Sequence, residues 1–265
     1  MSHKFLETKQ ERDLLRVTLN DPARANALSP GLVEALTELY GSDLRAKGIR
    51  AVLLGAAGKH FSAGADLTHL GNLLEAGPAA NREDSGRLRH LFESVLRQEA
   101  LTVAMVQGAC VAGGCGLATA HDFVVATATS RFLYSEVRIG FVAALVATYL
   151  PLRMRGSDIR EMLLNPEFIT AQKALDTGLV NRVVAEGDLR DAGEQLAIEI
   201  LERASSESVA RTKRLLLEVQ GLPLEEALQR AAVANAEARA TEDCRRGIAT
   251  FLATKAPPSW RESGE

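Results

Sequence analysis

The chain has 265 residues, 46% of them hydrophobic, and 31 basic against 34 acidic side chains leave a formal net charge of −3. This length suits one large α/β domain with an appendage, and the apolar content excludes global disorder. So even a charge balance, with no block of like charge, gives no footing for nucleic acid or an anionic membrane as a partner, and no apolar run nears the ~20 residues that span a bilayer. The first residues, Met-Ser-His-Lys, lack the basic-then-apolar pattern of a secretory signal, so a cytoplasmic location is expected. Three cysteines, Cys110, Cys115 and Cys244, suit a reducing compartment. Cys110 and Cys115 lie in an apolar stretch without a second pair at zinc spacing, so they are expected to be small buried residues and no metal is expected.

In chain order, residues 5–10 and 13–20 flank Glu11-Arg12 and predict a hairpin; Leu15, Val17 and Leu19 alternate with polar residues. A polar loop leads to Ser29-Pro30, an N-cap followed by proline at the first helical position. Residues 50–55 predict a strand buried on both faces. Residues 66–74 predict a helix, 77–80 a break, and 81–99 a long amphipathic helix with Leu88, Leu91, Phe92, Val95 and Leu96 inward. A strand over 102–106, a glycine-rich turn and a helix from Cys115 follow. Strands are predicted at 123–126, 131–134 and 181–184. Between the last two lie an apolar run at 141–152, helical continuation to 164, and a short helix capped by Thr170. From 188 to 253 the pattern is helical, broken at 205–207 and 221–223. Strands alternating with helices and then helices alone predict a sheet-based α/β core with a helical C-terminal appendage.

Two buried strands are each followed by a loop of small residues ending where a helix starts: Ser62-Ala-Gly-Ala-Asp66 and Val111-Ala-Gly-Gly-Cys115. Such loops offer free backbone N–H groups to a negative charge. Two of them can hold one substrate oxygen while charge develops on it. Taken singly, each also fits an ordinary strand-to-helix turn. The second loop lacks the spacing of a dinucleotide fingerprint or a Walker A loop. Glu136, between a short strand and an apolar run, is a candidate acid/base whose pKa burial would raise; on position alone, a surface turn is the plainer reading. His60, His69, His90 and His121 show no spacing that marks a triad, and no Gly-x-Ser-x-Gly elbow is present.

Together these stretches resemble the enoyl-CoA hydratase/isomerase (crotonase) superfamily over most of the chain. Arg24-Ala-Asn-Ala-Leu28, Phe61-Ser-Ala-Gly-Ala-Asp-Leu67, Gln107-Gly-Ala-Cys-Val-Ala-Gly-Gly-Cys-Gly-Leu117 and Ser135-Glu-Val-Arg-Ile-Gly140 carry the resemblance. Ala174-Leu-Asp-Thr-Gly-Leu-Val-Asn-Arg-Val-Val184 and Gly247-Ile-Ala-Thr-Phe-Leu252 with its Pro-Pro-Ser-Trp tail extend it. The resemblance implies a crotonase-like spiral of ββα units over residues 1–200. It also implies a C-terminal helical region, 201–265, that builds trimers, often paired into hexamers. It implies an acyl-CoA thioester substrate, with coenzyme A as part of the substrate and no separate cofactor. The backbone N–H groups of Ala65 and Gly113 would hold the thioester oxygen, with Glu136 as the acid/base. Arg24, Ala25, Ala27, Ala63, Asp66, Leu67 and Gly116 would line the substrate path.

The departures from the family pattern bear on the reaction. Two-glutamate hydratases carry a glutamate where this chain has Gly116, so Glu136 alone remains of the pair. Thr68 replaces a residue that is often basic, and Val142-Ala-Ala144 stands where Ile-Pro-Gly is frequent. The chain resembles single-glutamate hydratases of the methylglutaconyl-CoA type. Hydration of a 2-enoyl-CoA is the first expectation. Δ3,Δ2-enoyl-CoA isomerisation, which needs one carboxylate, is the alternative, followed by a non-catalytic acyl-CoA-binding relative. The acyl tail is expected along residues 70–74, 88–96 and 141–149.

Overall fold

A computed structural model describes residues 4–261. The chain winds in repeated turns. A turn lays one strand, or a hairpin at the start, in a large sheet, then a short strand or isolated bridges in a second layer, and then helix. The first turn is the antiparallel hairpin β1 (Leu6–Glu11) and β2 (Leu14–Leu19), a bridge at Leu28, and α1 (Pro30–Gly41). The second is β3 (Ala51–Ala56), bridges at Ser62 and Ala65, then α2 (Leu67–Leu73) and α3 (Gly77–Arg97). The third is β4 (Leu101–Val106), β5 (Ala109–Val111) and α4 (Gly113–Thr119). The fourth is β6 (Phe123–Thr127), β7 (Arg131–Leu133), a 3-10 turn Glu136–Ile139, α5 (Val146–Tyr149) and α6 (Gly156–Leu164). Next come β8 (Ile169–Thr170), α7 (Ala171–Asp176) and β9 (Arg182–Val184). The chain closes with α8 (Leu189–Arg203), α9 (Ser206–Glu218), α10 (Leu224–Arg239) and α11 (Glu242–Thr254).

The large sheet runs β1-β2-β3-β4-β6-β9, parallel from β2 onward, and the small one β5-β7-β8. Strand side chains alternate between faces, so β3, β4 and β6 each feed two cores. Val52, Leu54, Ala104, Val106, Val124 and Ala126 join Leu36, Leu91 and Leu117 in the larger core. Ala51, Leu53, Leu101, Val103, Met105 and Val125 meet Leu196, Ala197 and Leu201 of α8 on the opposite face. All six residues of β4 are buried, which explains its unbroken apolar sequence. Residues 200 and 201 both lie within α8, and α9 to α11 continue beyond it. Arg50, at the entry to β3, ties the last segment down by donating to Ser206 Oγ at 2.6 Å, Trp260 O at 2.8 Å and Leu201 O at 3.1 Å.

Several local signals act as expected. Ser29 Oγ accepts from Leu32 N with Pro30 behind it, and Thr170 caps α7. Elsewhere tertiary structure overrides the pattern. Residues 77–80 form the first turn of α3, where Pro78 lacks an N–H that would have had no intrahelical acceptor. β5 and β8 are too short to show a period. The C-terminal helices break a third time at Thr241, whose hydroxyl caps α11 by accepting from Cys244 N. Cys110 and Cys115 are buried, with Cys115 Sγ donating to Cys110 O at 2.8 Å. Among the described residues no helix is long and apolar enough to cross a membrane.

Candidate active site

The second layer of bridges brings the two small-residue loops side by side. Ser62 pairs with Cys110, and Ala65 pairs with Leu28 of the preceding turn. Gly64 has φ +84, and a Cβ there would lie 2.7 Å from Val111 O and 2.9 Å from Ala112 Cβ. A Cβ on Gly114 would lie 2.7 Å from Ser62 Cβ. Glycine at both positions therefore permits the contact between the loops. A Cβ on Gly113 would lie 3.9 Å from Ala65 N, so the two predicted donors are neighbours. Gly113 opens α4, where first-turn N–H groups have no intrahelical acceptor. Neither its N–H nor that of Ala65 has a backbone acceptor among the loop and turn bonds of the described residues. Ala112 sits just before it at φ 47, ψ −122. A non-glycine residue held there stores strain, of the kind found where loop geometry matters more than local stability.

Asn26 locks this arrangement from behind. Its Nδ2 donates to Ala57 O and His60 O, both at 3.0 Å, and its Oδ1 accepts from Asp21 N at 2.9 Å. Ser62 Oγ donates to Asn26 O at 2.8 Å and accepts from Gly64 N at 3.2 Å. In the sequence Asn26 stands inside the Arg24–Leu28 motif, with no role apparent there. Asparagine among small residues was the available signal, since it tolerates the left-handed backbone found there, φ 51.

A cavity of about 410 Å³ opens over both loops. Ala63, Ala65, Asp66, Leu67, Gly113 and Glu136 line it together. Arg24, Ala25 and Ala27 stand one layer out. Arg24 bonds Asp66 at 3.2 Å, and Ala25 O accepts from Ala63 N at 2.9 Å. Asp66 is thus held twice, because it also caps α2 by accepting from Thr68 N and His69 N. Gly116 is buried off the cavity wall. A Cβ there would meet Val146 Cγ1 at 2.8 Å, Phe92 Cζ at 2.9 Å and the Tyr149 hydroxyl at 3.1 Å, while Tyr149 donates to Gly116 O at 2.9 Å. These three side chains crowd the space beside position 116. Of the stretches expected along the acyl tail, Leu70, Leu88, Phe92 and the run from Phe141 to Val146 reach the cavity. Leu74 points to solvent at 85% exposure.

Glu136 begins the 3-10 turn after β7 and faces the cavity. Its Oε2 is buried without a hydrogen-bond partner among the described residues. Burial raises its pKa above the ordinary glutamate value, and backbone N–H groups of Glu136 and Ser135 offset this only in part. The other carboxylates on the wall are engaged: Asp66 with Arg24, and Asp84 with His69 at 2.7 Å. The His69–Asp84 pair escaped sequence reasoning, since its members are fifteen residues apart on different helices. The arrangement can polarise a carbonyl with two N–H groups and move a proton at a nearby carbon with one carboxylate.

Comparisons with known proteins agree. The family model described as "Enoyl-CoA hydratase/isomerase" matches residues 9–263. A Thermus thermophilus protein provisionally named an enoyl-CoA hydratase is 42% identical over 91% of this chain and 95% of its own. The (E)-benzylidenesuccinyl-CoA hydratase of Thauera aromatica is 32% identical over 91% of this chain and 93% of its own. The crystal structure of a Mycobacterium smegmatis enoyl-CoA hydratase superposes with TM-score 0.87 at 31% identity, over 97% of this chain and 99% of that one. The expected spiral fold is the fold of this neighbour, and the chain belongs to the enoyl-CoA hydratase/isomerase (crotonase) family.

Proposed function

We propose that this protein is an enoyl-CoA hydratase that adds water across the C2–C3 double bond of a 2-enoyl-CoA thioester. The observation that carries the reading is the half-buried Glu136 carboxylate, whose Oε2 has no hydrogen-bond partner among the described residues, on the same cavity as the Ala65 and Gly113 N–H groups. The two N–H groups hold the thioester oxygen. Glu136 takes a proton from water as the water oxygen bonds C3, and the double-bond electrons pass to the thioester oxygen as an enolate. The enolate then collapses while Glu136 returns the proton to C2, so water is consumed and the glutamate is restored. A positioned acid/base contributes ~10²–10⁴-fold, and each oxyanion donor about 3 kcal/mol. Loss of enoyl-thioester absorbance with crotonyl-CoA, abolished in Glu136→Gln, is the expected result. Unchanged turnover in that variant would end the catalytic assignment.

One observation favours a second reading. With glycine at 116, Glu136 is the one carboxylate on the cavity wall without an ion-pair partner among the described residues, and one suffices for Δ3,Δ2-isomerisation: Glu136 removes a proton at C2 and returns it at C4. Product analysis separates the two readings. A shifted double bond in a 3-enoyl-CoA, with no solvent oxygen added to a 2-enoyl-CoA, selects the isomerase.

The assembly proposed with this reading is a homotrimer, or two trimers paired, built through residues 201–265. Leu224 and Leu228 on α10 and Ile248, Phe251 and Leu252 on α11 are more than half exposed in the single chain. Light scattering on the purified protein tests it, and a monomeric mass would reject it.

A further inference from the structure

The cavity has an ionic end that the proposed chemistry does not use. Asp84, Arg87, Leu88 and Phe92 of α3 all line it, and their spacing puts them on one helix face. Phe92 sits at the reacting end, against Gly116, three residues along α4 from the Gly113 donor. Asp84 lies eight residues earlier, about 12 Å along the helix. From α2, His69 reaches across, and its Nε2 meets Asp84 Oδ1 at 2.7 Å. The wall is therefore apolar at Phe92 and Leu88 and turns ionic at Arg87, Asp84 and His69. A site shaped for an alkyl tail would continue the aliphatic wall through these positions.

The two nitrogen-bearing side chains here are unequally occupied. Arg87 bonds Glu83 at 2.6 Å, but Glu83 is 69% exposed and stands off the cavity wall. Exposed ion pairs of this kind contribute little and exchange readily. His69 holds Asp84 through Nε2, and its Nδ1 has no partner among the described residues. Asp84, the carboxylate at this end of the cavity, is thus already bonded, while Arg87 can turn its fork toward an incoming anion.

We propose that the acyl chain this site takes ends in a second carboxylate, received by Arg87 with His69 beside it. The proposal rests on the acyl-CoA reading above and names its substrate class. A carboxylate accepts two parallel hydrogen bonds from a guanidinium, which neither an alkyl end nor Glu83 in its exposed position matches.

Titration calorimetry with saturated thioesters, which bind without reacting, tests it. The pairs are adipyl-CoA against hexanoyl-CoA and suberyl-CoA against octanoyl-CoA. In at least one pair the dicarboxylic ester binds about tenfold or more tighter, and Arg87→Gln brings that ratio close to one. Alkyl esters that bind as well in both pairs, a ratio that survives Arg87→Gln, or an equal loss for both members of a pair would each overturn the proposal. Hydration of crotonyl-CoA and of a 2-enoyl-CoA ending in a carboxylate, assayed in parallel, judges the underlying reading separately. Hydration without carboxylate preference removes only the substrate class, whereas carboxylate preference without turnover removes only the reaction. Failure to bind any of the four esters removes both.

Discussion

Glu136→Gln makes the sharpest prediction because stability and activity should move in opposite directions. The substitution keeps the shape and removes the charge. In the wild-type protein Glu136 Oε2 is buried without a partner among the described residues, and burial raises the carboxyl's pKa. A buried group left unsatisfied costs ~1–3 kcal/mol, and the half-exposed setting argues for the lower end, about 1 kcal/mol. In a protein of this size that corresponds to ~2–4 °C in Tm. The folded protein holds the Glu136 proton more tightly than the unfolded chain. Its contribution to stability is fully present below the ordinary glutamate pKa and is lost as pH rises through the raised folded value. The variant should therefore melt higher than wild type at neutral pH, and the gap should close in acid, where the wild-type side chain is protonated too. Turnover should fall ~10²–10⁴-fold. Scanning calorimetry at neutral and acid pH, with the assembly state checked by light scattering, reads the first effect. A variant that is less stable at neutral pH, or a gap that does not depend on pH, would refute the reasoning.

Three further perturbations follow from the geometry. Gly64→Ala forces a Cβ to within 2.7 Å of Val111 O at φ +84; a stability loss of about 2 kcal/mol or more is expected. With the donor loops pushed apart, turnover should also fall ~10²-fold or more, and a fully active Gly64→Ala would remove the paired-donor geometry. His121 is buried with Nε2 against the Tyr40 hydroxyl at 2.7 Å and Nδ1 against Leu117 O at 2.9 Å, and burial pulls its pKa down to about 3. The unfolded chain takes up that proton near 6.5, so His121 subtracts up to ~1.4 kcal/mol per pH unit as pH falls from about 6.5 toward 3. His121→Gln should flatten that slope in denaturant titrations, and an unchanged slope assigns it elsewhere. Arg50→Ala breaks the ties to Ser206, Leu201 and Trp260 and leaves part-buried acceptors unpaired. A loss of ~2–4 kcal/mol is expected in chemical unfolding, and a change under 1 kcal/mol would mean that solvent replaces those bonds.

Local chemistry made much of this protein legible in its sequence. Ser29-Pro30 and Thr170 announce helix starts because capping depends on one side chain and its near neighbours. The continuous apolar runs of β3, β4 and β6 announce a sheet covered on both faces, because each alternate residue must enter one of two cores. The glycines at 64 and 114 mark two loops that approach each other closely, since close approach leaves no room for a Cβ. Other features depend on distance in space and left no local trace. The hydrogen bonds of Asn26 to Ala57 and His60, and of Arg50 to Trp260, span up to 210 residues. His69 and Asp84 meet only because α2 and α3 fold against each other across the cavity. The sequence could report that residue 116 is glycine and not glutamate. Only the packing of Phe92, Val146 and Tyr149 decided how little room that position has, because a Cβ there would meet all three within 3.1 Å and they come from two other parts of the chain.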